Sequence, residues 1–476
     1  PVTSPYRRIH PSQLEEVRKH LQELQDKDII QPSTSPYSSP IVLVRKKTGD
    51  LRMCVDYRKL NANTRKDAYP LPRVEESLDA LADSKWYTSL DLAAGYHQVA
   101  MDERDQYKTA FTTPFGLYEF KKMPFGLCTA PATFQRLMQS GMNDLMFQVL
   151  LVYLDDILVF SRTFSEHLDR LRLVLGRLRD MGLKLNIKKC NFCQKSVKYL
   201  GHTVSQAGIA TDEDKIRVVR DWPVPKTVKE LRSFLGFASY YRRFVQGFSK
   251  IAGPLHTAVA KGLRKCSGNS GRSSSVLLGE DWTPDCQAAF LKLKEALTTA
   301  PLLGYADYSL PFILETDASL HGLGAVLSQV QNGTKRVIAY ASRTLRPTEK
   351  NSRNYSSMKL ELTALKWAVT EKFREYLLGS KFVAVTDNNP LSHLQTAKLG
   401  ATEQRWVSQL AMFDFHIQYR SGKANVNADA LSRPPVVSLQ QPEGEDGSVD
   451  EDALVAGVVV RSTKVPDDLI KVGAVA

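Results

Sequence analysis

Seven carboxylates stand where they could do metal chemistry. Asp155 and Asp156 lie side by side in Tyr153-Leu154-Asp155-Asp156, between two apolar runs at 147–152 and 157–160. Both runs read as buried β-strands, being short and rich in branched and aromatic residues. Successive side chains of a straight strand point to opposite faces, so a hairpin tip is what lets both acids serve one site. Adjacent aspartates among buried strands are costly unless a cation meets them; taken alone, they also fit a plain solvated turn. A third acid changes the balance. Asp91 closes the apolar strand Trp86-Tyr87-Thr88-Ser89-Leu90-Asp91, about sixty residues upstream. Three such carboxylates suit a pair of Mg2+ ions about 4 Å apart, the arrangement that activates a hydroxyl and steadies a triphosphate. Basic side chains of a hairpin near 45–52 could neutralise that triphosphate, or merely be solvated.

Four more acids form a second set: Asp317 in Thr316-Asp317-Ala318-Ser319, Glu361 on a helix, Asp387 in Thr386-Asp387-Asn388-Asn389, and Asp429 in Asn427-Ala428-Asp429-Ala430-Leu431. Each alone is more often a cap or a surface charge. Asp387 is the weakest of them, because Asp-Asn-Asn also makes a turn. Together, acids at the ends of separate strands and on a facing helix can converge on two metals and activate water for hydrolysis.

The elements that must position these groups follow from periodicity and punctuation. An amphipathic helix carries Leu14, Val17, Leu21 and Leu24, and a hairpin over 41–57 turns at Lys46-Lys47-Thr48-Gly49-Asp50. Another hairpin spans 106–122, and a helix over 130–146 opens with Pro131 near its first turn. A further helix at 166–181 shows Leu168, Leu171, Val174, Leu175 and Leu178, and Gly182 ends it. Capping-box patterns at Thr211–Asp214 and Thr227–Glu230 announce two more helices. Residues 261–281 lose periodicity and fill with Gly, Ser, Lys and Arg, as a flexible linker does. A second α/β pattern runs from 311: strands at 312–316, 322–329, 335–341, 381–386 and 415–419, with helices at 356–377 and 402–412. The tail from 434 is acidic and low in aromatics, a composition that stays disordered.

The chain has 476 residues, enough for two to four domains, and a net charge of +13. Residues 434–476 hold eight acids and three bases, so the first 433 residues carry +18. A basic body of this kind suits a polyanion, nucleic acid before membrane. No apolar stretch reaches membrane-spanning length, and the first residues show no signal peptide. The six cysteines are too irregular for a disulfide framework, which fits a reducing compartment. Cys190 and Cys193 form a CxxC without a partner pair, so a structural turn is expected there rather than zinc.

Several of these blocks together resemble the reverse transcriptase of gypsy-type LTR retrotransposon Pol polyproteins. They are 51–61, Leu90-Asp91-Leu92-Ala93-Ala94-Gly95-Tyr96-His97-Gln98, the block 123–134 containing Met123-Pro124-Phe125-Gly126, and Tyr153-Leu154-Asp155-Asp156. The resemblance implies a right-hand polymerase of fingers, palm and thumb followed by a ribonuclease H-like α/β domain, α/β and α+β in class. It implies Asp91, Asp155 and Asp156 as metal ligands, and Arg52 with Lys46 on the triphosphate. Tyr96 would be the steric gate against a ribose 2′-hydroxyl. Phe125, where retroviral enzymes carry glutamine, would serve in packing, and Tyr199-Leu200-Gly201-His202 as primer grip. An arginine-bearing helix at 228–244 (Arg232, Arg242, Arg243) would be the thumb that tracks a hybrid duplex. The second acid set resembles the ribonuclease H of the same polyproteins, with Asp317, Glu361, Asp387 and Asp429 catalytic and Tyr419 in a region used in place of a histidine loop.

The implied layout is fingers and palm at 1–204, thumb at 205–260, linker and connecting helix at 261–310, nuclease at 311–433 and tail at 434–476. The implied activity is RNA-directed DNA synthesis with hydrolysis of the hybrid's RNA strand. It would use Mg2+ at both sites (with Mn2+ as a substitute), on RNA template, DNA primer and dNTPs, in the cytoplasm within virus-like particles. Protease and integrase segments of the polyprotein would be partners, and a homodimer is left open. The absence of a starting Met, of an Asp-Thr/Ser-Gly triplet and of a His/Cys zinc head leads to the expectation of a bounded polyprotein segment. Two rivals stand beside this reading: a relic that binds nucleic acid without chemistry, and an RNA-templated RNA polymerase, which Tyr96 disfavours.

Overall fold

The computed structural model of the protein describes residues 1–45, 51–267, 276–351, 355–388, 391 and 399–420. Lys46, Asp429 and the tail from 434 lie outside them. All described residues belong to one unit, Pro1–Pro434.

The aspartate hairpin lies in a four-stranded antiparallel sheet, ordered Leu150–Tyr153, Asp156–Ser161, Trp86–Asp91 and Asn191–Gln194. Alternation sends its side chains into two different cores. Leu90, Leu150, Val152, Ile157 and Val159 pack with Phe134, Met138 and Met142 of the helix Ala130–Met142 and with Leu171, Val174 and Leu178 of Phe164–Asp180. Tyr87, Leu151, Leu158 and Phe160 face the other way, toward Val197, Leu231, Phe234 and Phe290. A sheet covered on both faces needs strands apolar at every position, which is why these runs show no polar alternation. Each large side chain so buried contributes about 1.5–3 kcal/mol.

A five-stranded sheet holds the first hairpin, in the order Ile30–Pro32, Gly116–Phe120, Phe111–Thr113, Ser39–Arg45 and Leu51–Val55. The helix Leu14–Asp26 covers it with Val17, Leu21 and Leu24. A three-stranded sheet, Ser196–Tyr199, His202–Ser205 and Gly208–Thr211, leads to four helices: Glu213–Arg220, Val228–Tyr240, Phe248–Ser267 and Pro284–Thr298. The last five-stranded sheet is ordered Thr334–Thr344, Gly322–Gln331, Phe312–Ala318, Phe382–Thr386 and Phe415–Tyr419; its first two pairings are antiparallel and its last two parallel. Asn332 and Gly333, both at positive φ, make its tight hairpin turn.

This last sheet is tied to the rest of the unit. The Tyr376 hydroxyl donates to Asp79 Oδ2 at 2.6 Å, Arg73 pairs with Glu375 at 2.5 Å, and Tyr305 donates to the Ser205 carbonyl at 2.9 Å. Burial raises the Asp79 carboxyl above the usual range despite the Tyr376 bond.

Several expectations need correction. The strand before the aspartates starts at Leu150, not 147; Phe147 has φ 62° and is exposed. Residues 261–267, read as the start of a linker, instead finish a helix, Phe248–Ser267, that the sequence reading did not anticipate; glycine at 262 lets it pass close to Val228. Thr227 and Glu230 form their capping box, but at the preceding helix Asp212, not Thr211, is the N-cap. In the helix Phe164–Asp180, Leu168 and Leu175 are exposed, and His167 takes a buried place instead. Arg242 and Arg243, expected to track a duplex, are bonded within the chain. Arg242 donates to the Ser342 carbonyl at 2.6 Å and Arg243 to the Ile338 carbonyl at 3.4 Å, both on the strand Thr334–Thr344.

Candidate active sites

Asp156 opens its strand directly opposite Asp91, its register partner, and Tyr153 pairs with Asp156 across the two-residue turn Leu154-Asp155. Leu154 carries φ 57°, in the left-handed region that favours glycine. A leucine held there stores about 1–2 kcal/mol of strain. Gln135 holds it. This fully buried side chain accepts a hydrogen bond from the Leu154 amide at 2.9 Å and donates to the Val152 carbonyl at 3.4 Å. Sequence reading missed Gln135; its signal was a polar residue beside Phe134 and Met138 on the apolar face of a helix.

Partial desolvation raises the Asp156 carboxyl, the charges of Asp155 and Asp91 push it further, and Lys189 pulls it back. The Lys189 ammonium sits 3.3 and 3.4 Å from the two oxygens of Asp91. A carboxylate whose ionisation is opposed by burial and by two neighbouring acids is what a divalent cation would relieve, so Asp156 with Asp91 and Asp155 fits Mg2+.

Tyr96 lies beside this cluster on the short turn Gly95–Gln98, its ring 5.0 Å from Phe125 and 5.4 Å from Phe134. Burial raises its hydroxyl pKa, and the charge of Asp155 adds to the effect. A Cβ on Gly95 would come within 3.2 Å of Phe134 and 3.4 Å of Asp155, so glycine is what lets Tyr96 approach the acids. Phe125 is partly exposed and also meets His97 at 5.1 Å. Arg52 is exposed on the strand Leu51–Val55, opposite Val44.

In the 199–202 segment only the turn is presented. Tyr199 and His202 are buried, while Leu200 and Gly201 adopt positive φ at the tip. Tyr240 and Tyr241 donate to the carbonyls of Leu200 and Gly201 at 2.6 and 2.7 Å. His202 stacks on Phe244, its Nδ1 2.9 Å from the Leu200 carbonyl, and burial lowers its pKa to about 4.

The second cluster is tighter. Asp317 and Asp387 end adjacent parallel strands, and Glu361 comes from the facing helix Ser357–Trp367. One ligand oxygen from each lies within 4.8 Å of the other two, the one such acidic group of three among the described residues. Asp317 and Glu361 are buried, and Glu361 Oε1 accepts from the Ala318 amide at 3.1 Å, docking the helix against the strand end. Buried carboxylates this close fit a metal pair. Glu315, also missed in the sequence, is buried two residues before Asp317 and pairs with Lys335 at 2.7 Å and Arg420 at 3.2 Å. In the CxxC, Cys190 Sγ accepts from the Asp91 amide at 3.4 Å, and the Cys193 amide donates to Thr88 Oγ1 at 3.0 Å.

Residues 44–204 match the reverse transcriptase (RNA-dependent DNA polymerase) family, and residues 282–384 match an RNase H-like domain found in reverse transcriptase. The Pol polyprotein of transposon 297 of Drosophila melanogaster is 40% identical over 443 residues, which is 92% of this chain and 40% of that protein. The chain belongs to the reverse transcriptase and RNase H-like segment of gypsy-type Pol polyproteins. The Pol polyprotein of transposon gypsy of the same fly is 36% identical over 473 residues, 97% of this chain and 44% of that protein. This chain thus spans less than half the length of these relatives. Its fold is shared with the foamy viral protease-reverse transcriptase. In a structure of that protein with double-stranded DNA the TM-score is 0.76 at 23% identity, covering 88% of this chain and 72% of that one. In one with RNA/DNA hybrid it is 0.71 at 23% identity, covering 94% and 58%. Among the described residues no helix is long and apolar enough to cross a membrane.

Proposed function

We propose that this chain copies RNA into DNA at the aspartate hairpin and hydrolyses the RNA strand of the resulting hybrid at the second acid cluster. The observation that carries the reading is the pairing of Asp91 with Asp156 across neighbouring strands, with Asp155 in the turn that leads into Asp156. Asp91, Asp155 and Asp156 would hold Mg2+, which when bound supplies a more acidic primer 3′-hydroxyl and charge neutralisation on the triphosphate. Arg52, with Lys46 beyond the described residues, binds the triphosphate from the fingers. Tyr96, wedged between Phe125 and Phe134, closes the space beside the sugar and selects dNTPs over rNTPs. The Leu200-Gly201 turn, braced by Tyr240 and Tyr241, holds the primer end through its backbone, and His202 and Tyr199 support that turn from within.

At the nuclease site Asp317, Glu361 and Asp387 would hold Mg2+ together with Asp429, and there the bound ions supply an activated water. The basic body binds the duplex in a salt-sensitive way. The foamy viral relative's complexes with double-stranded DNA and RNA/DNA hybrid support these partners. The division into fingers and palm, thumb, connecting helix and nuclease, work in virus-like particles beside protease and integrase segments, and assembly as a homodimer belong to the same proposal.

A labelled DNA primer on an RNA template, with dNTPs and Mg2+, tests it. The wild-type chain is expected to extend the primer and Asp155→Asn to fail. No extension by the wild-type chain would instead favour a nucleic-acid-binding relic.

A further inference from the structure

The one ion pair that reaches the three palm acids among the described residues is Lys189 on Asp91. Its backbone is fixed on both sides of that acid. Leu185 bridges to Leu92, the Asn186 amide donates to the Asp91 carbonyl at 2.8 Å, and the Asp91 amide donates to Cys190 Sγ at 3.4 Å. The short helical turn Ile187–Lys189 therefore brings the Lys189 ammonium up to Asp91. There it lies nearly equidistant from both carboxylate oxygens, at 3.3 and 3.4 Å, as a counter-ion does rather than as a single hydrogen bond would.

We propose that Lys189 is a resident counter-cation of the palm carboxylates, holding Asp91 beside Asp155 and Asp156 in the metal-free protein and competing with the divalent ion for that carboxylate. Three carboxylates meeting at one strand pair repel one another, and an ammonium on a flexible stem relieves this without fixing a geometry. A divalent ion displaces it because it brings twice the charge and takes oxygen ligands from all three acids. Lys189 is thus a positioning residue that sets the ion concentration at which the site loads. The inference rests on the palm acids being the metal ligands.

The test uses the full chain with Asp317→Asn, Glu361→Gln and Asp387→Asn, so that the nuclease acids do not compete, and follows Mn2+ binding by electron paramagnetic resonance. Lys189→Met is expected to bind Mn2+ about two- to fivefold more tightly, the scale of an exposed ion pair lost as a competitor. Lys189→Arg, keeping the charge, should stay near the parent. Without metal the Met chain should melt below the parent, and the gap should close at saturating Mn2+. Lys189→Gln serves as a second neutral variant should the Met chain fold poorly. Affinity that is unchanged or weaker in the neutral variants overturns the proposal. Asp155→Asn separates the two levels. If it abolishes Mn2+ binding while Lys189→Met leaves affinity unchanged, the metal site stands and the role of Lys189 falls. If Asp155→Asn leaves binding intact, both fall.

Discussion

Replacing Gln135 with methionine tests whether the aspartate turn is held from below. The side chains are close in volume, so Gln135→Met removes the bonds to the Leu154 amide and the Val152 carbonyl while keeping the core filled. Leaving the partly buried Leu154 N–H unmet costs about 1–3 kcal/mol. The strain stored at a left-handed leucine is about 1–2 kcal/mol, comparable to the bond that opposes it. Once the bond is gone, relaxing the turn offsets much of its loss, and Asp155 moves with the turn. A displacement of about 1 Å at a reacting centre costs about 100-fold. Single-turnover primer extension should therefore fall by about 10- to 100-fold, with dNTP affinity little changed because Arg52 and Tyr96 stand on other elements. Denaturant unfolding should show a loss of no more than about 3 kcal/mol. Extension within about twofold of wild type would refute the clamp, since no strain would then be restrained by Gln135.

Tyr96→Ala opens the space between Phe125 and Phe134, and rNTP incorporation relative to dNTP should rise by at least about tenfold; an unchanged ratio in competitive extension would remove Tyr96 as the gate. Asp317→Asn relieves repulsion among buried carboxylates that lie within 4.8 Å of one another. In chelator its thermal midpoint should rise by about 2–4 °C, and the advantage should vanish or reverse with Mg2+; a lower midpoint in chelator would contradict the cluster's electrostatics. His202 and His97 both titrate at about 4, against an ordinary 6.5, because burial disfavours their charged forms. The unfolded chain binds their protons first, so the stability they contribute is complete above pH 6.5 and is lost as pH falls toward 4. One such histidine takes away about 2 kcal/mol between pH 7 and pH 5. His202→Gln should flatten that loss by about this amount in denaturant unfolding, and an unchanged slope would show that His202 is not held neutral.

The acids were legible because their chemistry is local. A short apolar strand that ends in aspartate, followed by another about sixty residues later, points to one sheet, and the register of Asp91 with Asp156 completes it. The hairpins at 39–55 and 111–120 were legible for the same reason, each strand carrying its own period. What escaped depends on contacts between distant segments. Gln135 is ordinary in a helix and matters only because Leu154 lies above it. Gly262 reads as linker composition, yet it is a close-packing contact with Val228 inside a helix. The resemblance implied Arg242 and Arg243 as thumb arginines on a duplex, but the strand Thr334–Thr344 offers them carbonyl oxygens that no local pattern announces. His202 sits in a motif whose side chains invite a contact role, and only its burial shows that the backbone turn is what faces outward.

The central claim, two acid sites with separate tasks, is tested most directly in one reaction that follows both strands. A DNA primer and an RNA template carrying different labels are incubated with dNTPs, Mg2+ and the wild-type chain, Asp155→Asn or Asp317→Asn. The wild-type chain should lengthen the primer and cut the template. Asp155→Asn should cut pre-formed hybrid without extending, and Asp317→Asn should extend and leave the RNA whole. Extension that survives Asp155→Asn, or template cleavage that survives Asp317→Asn, would contradict the account.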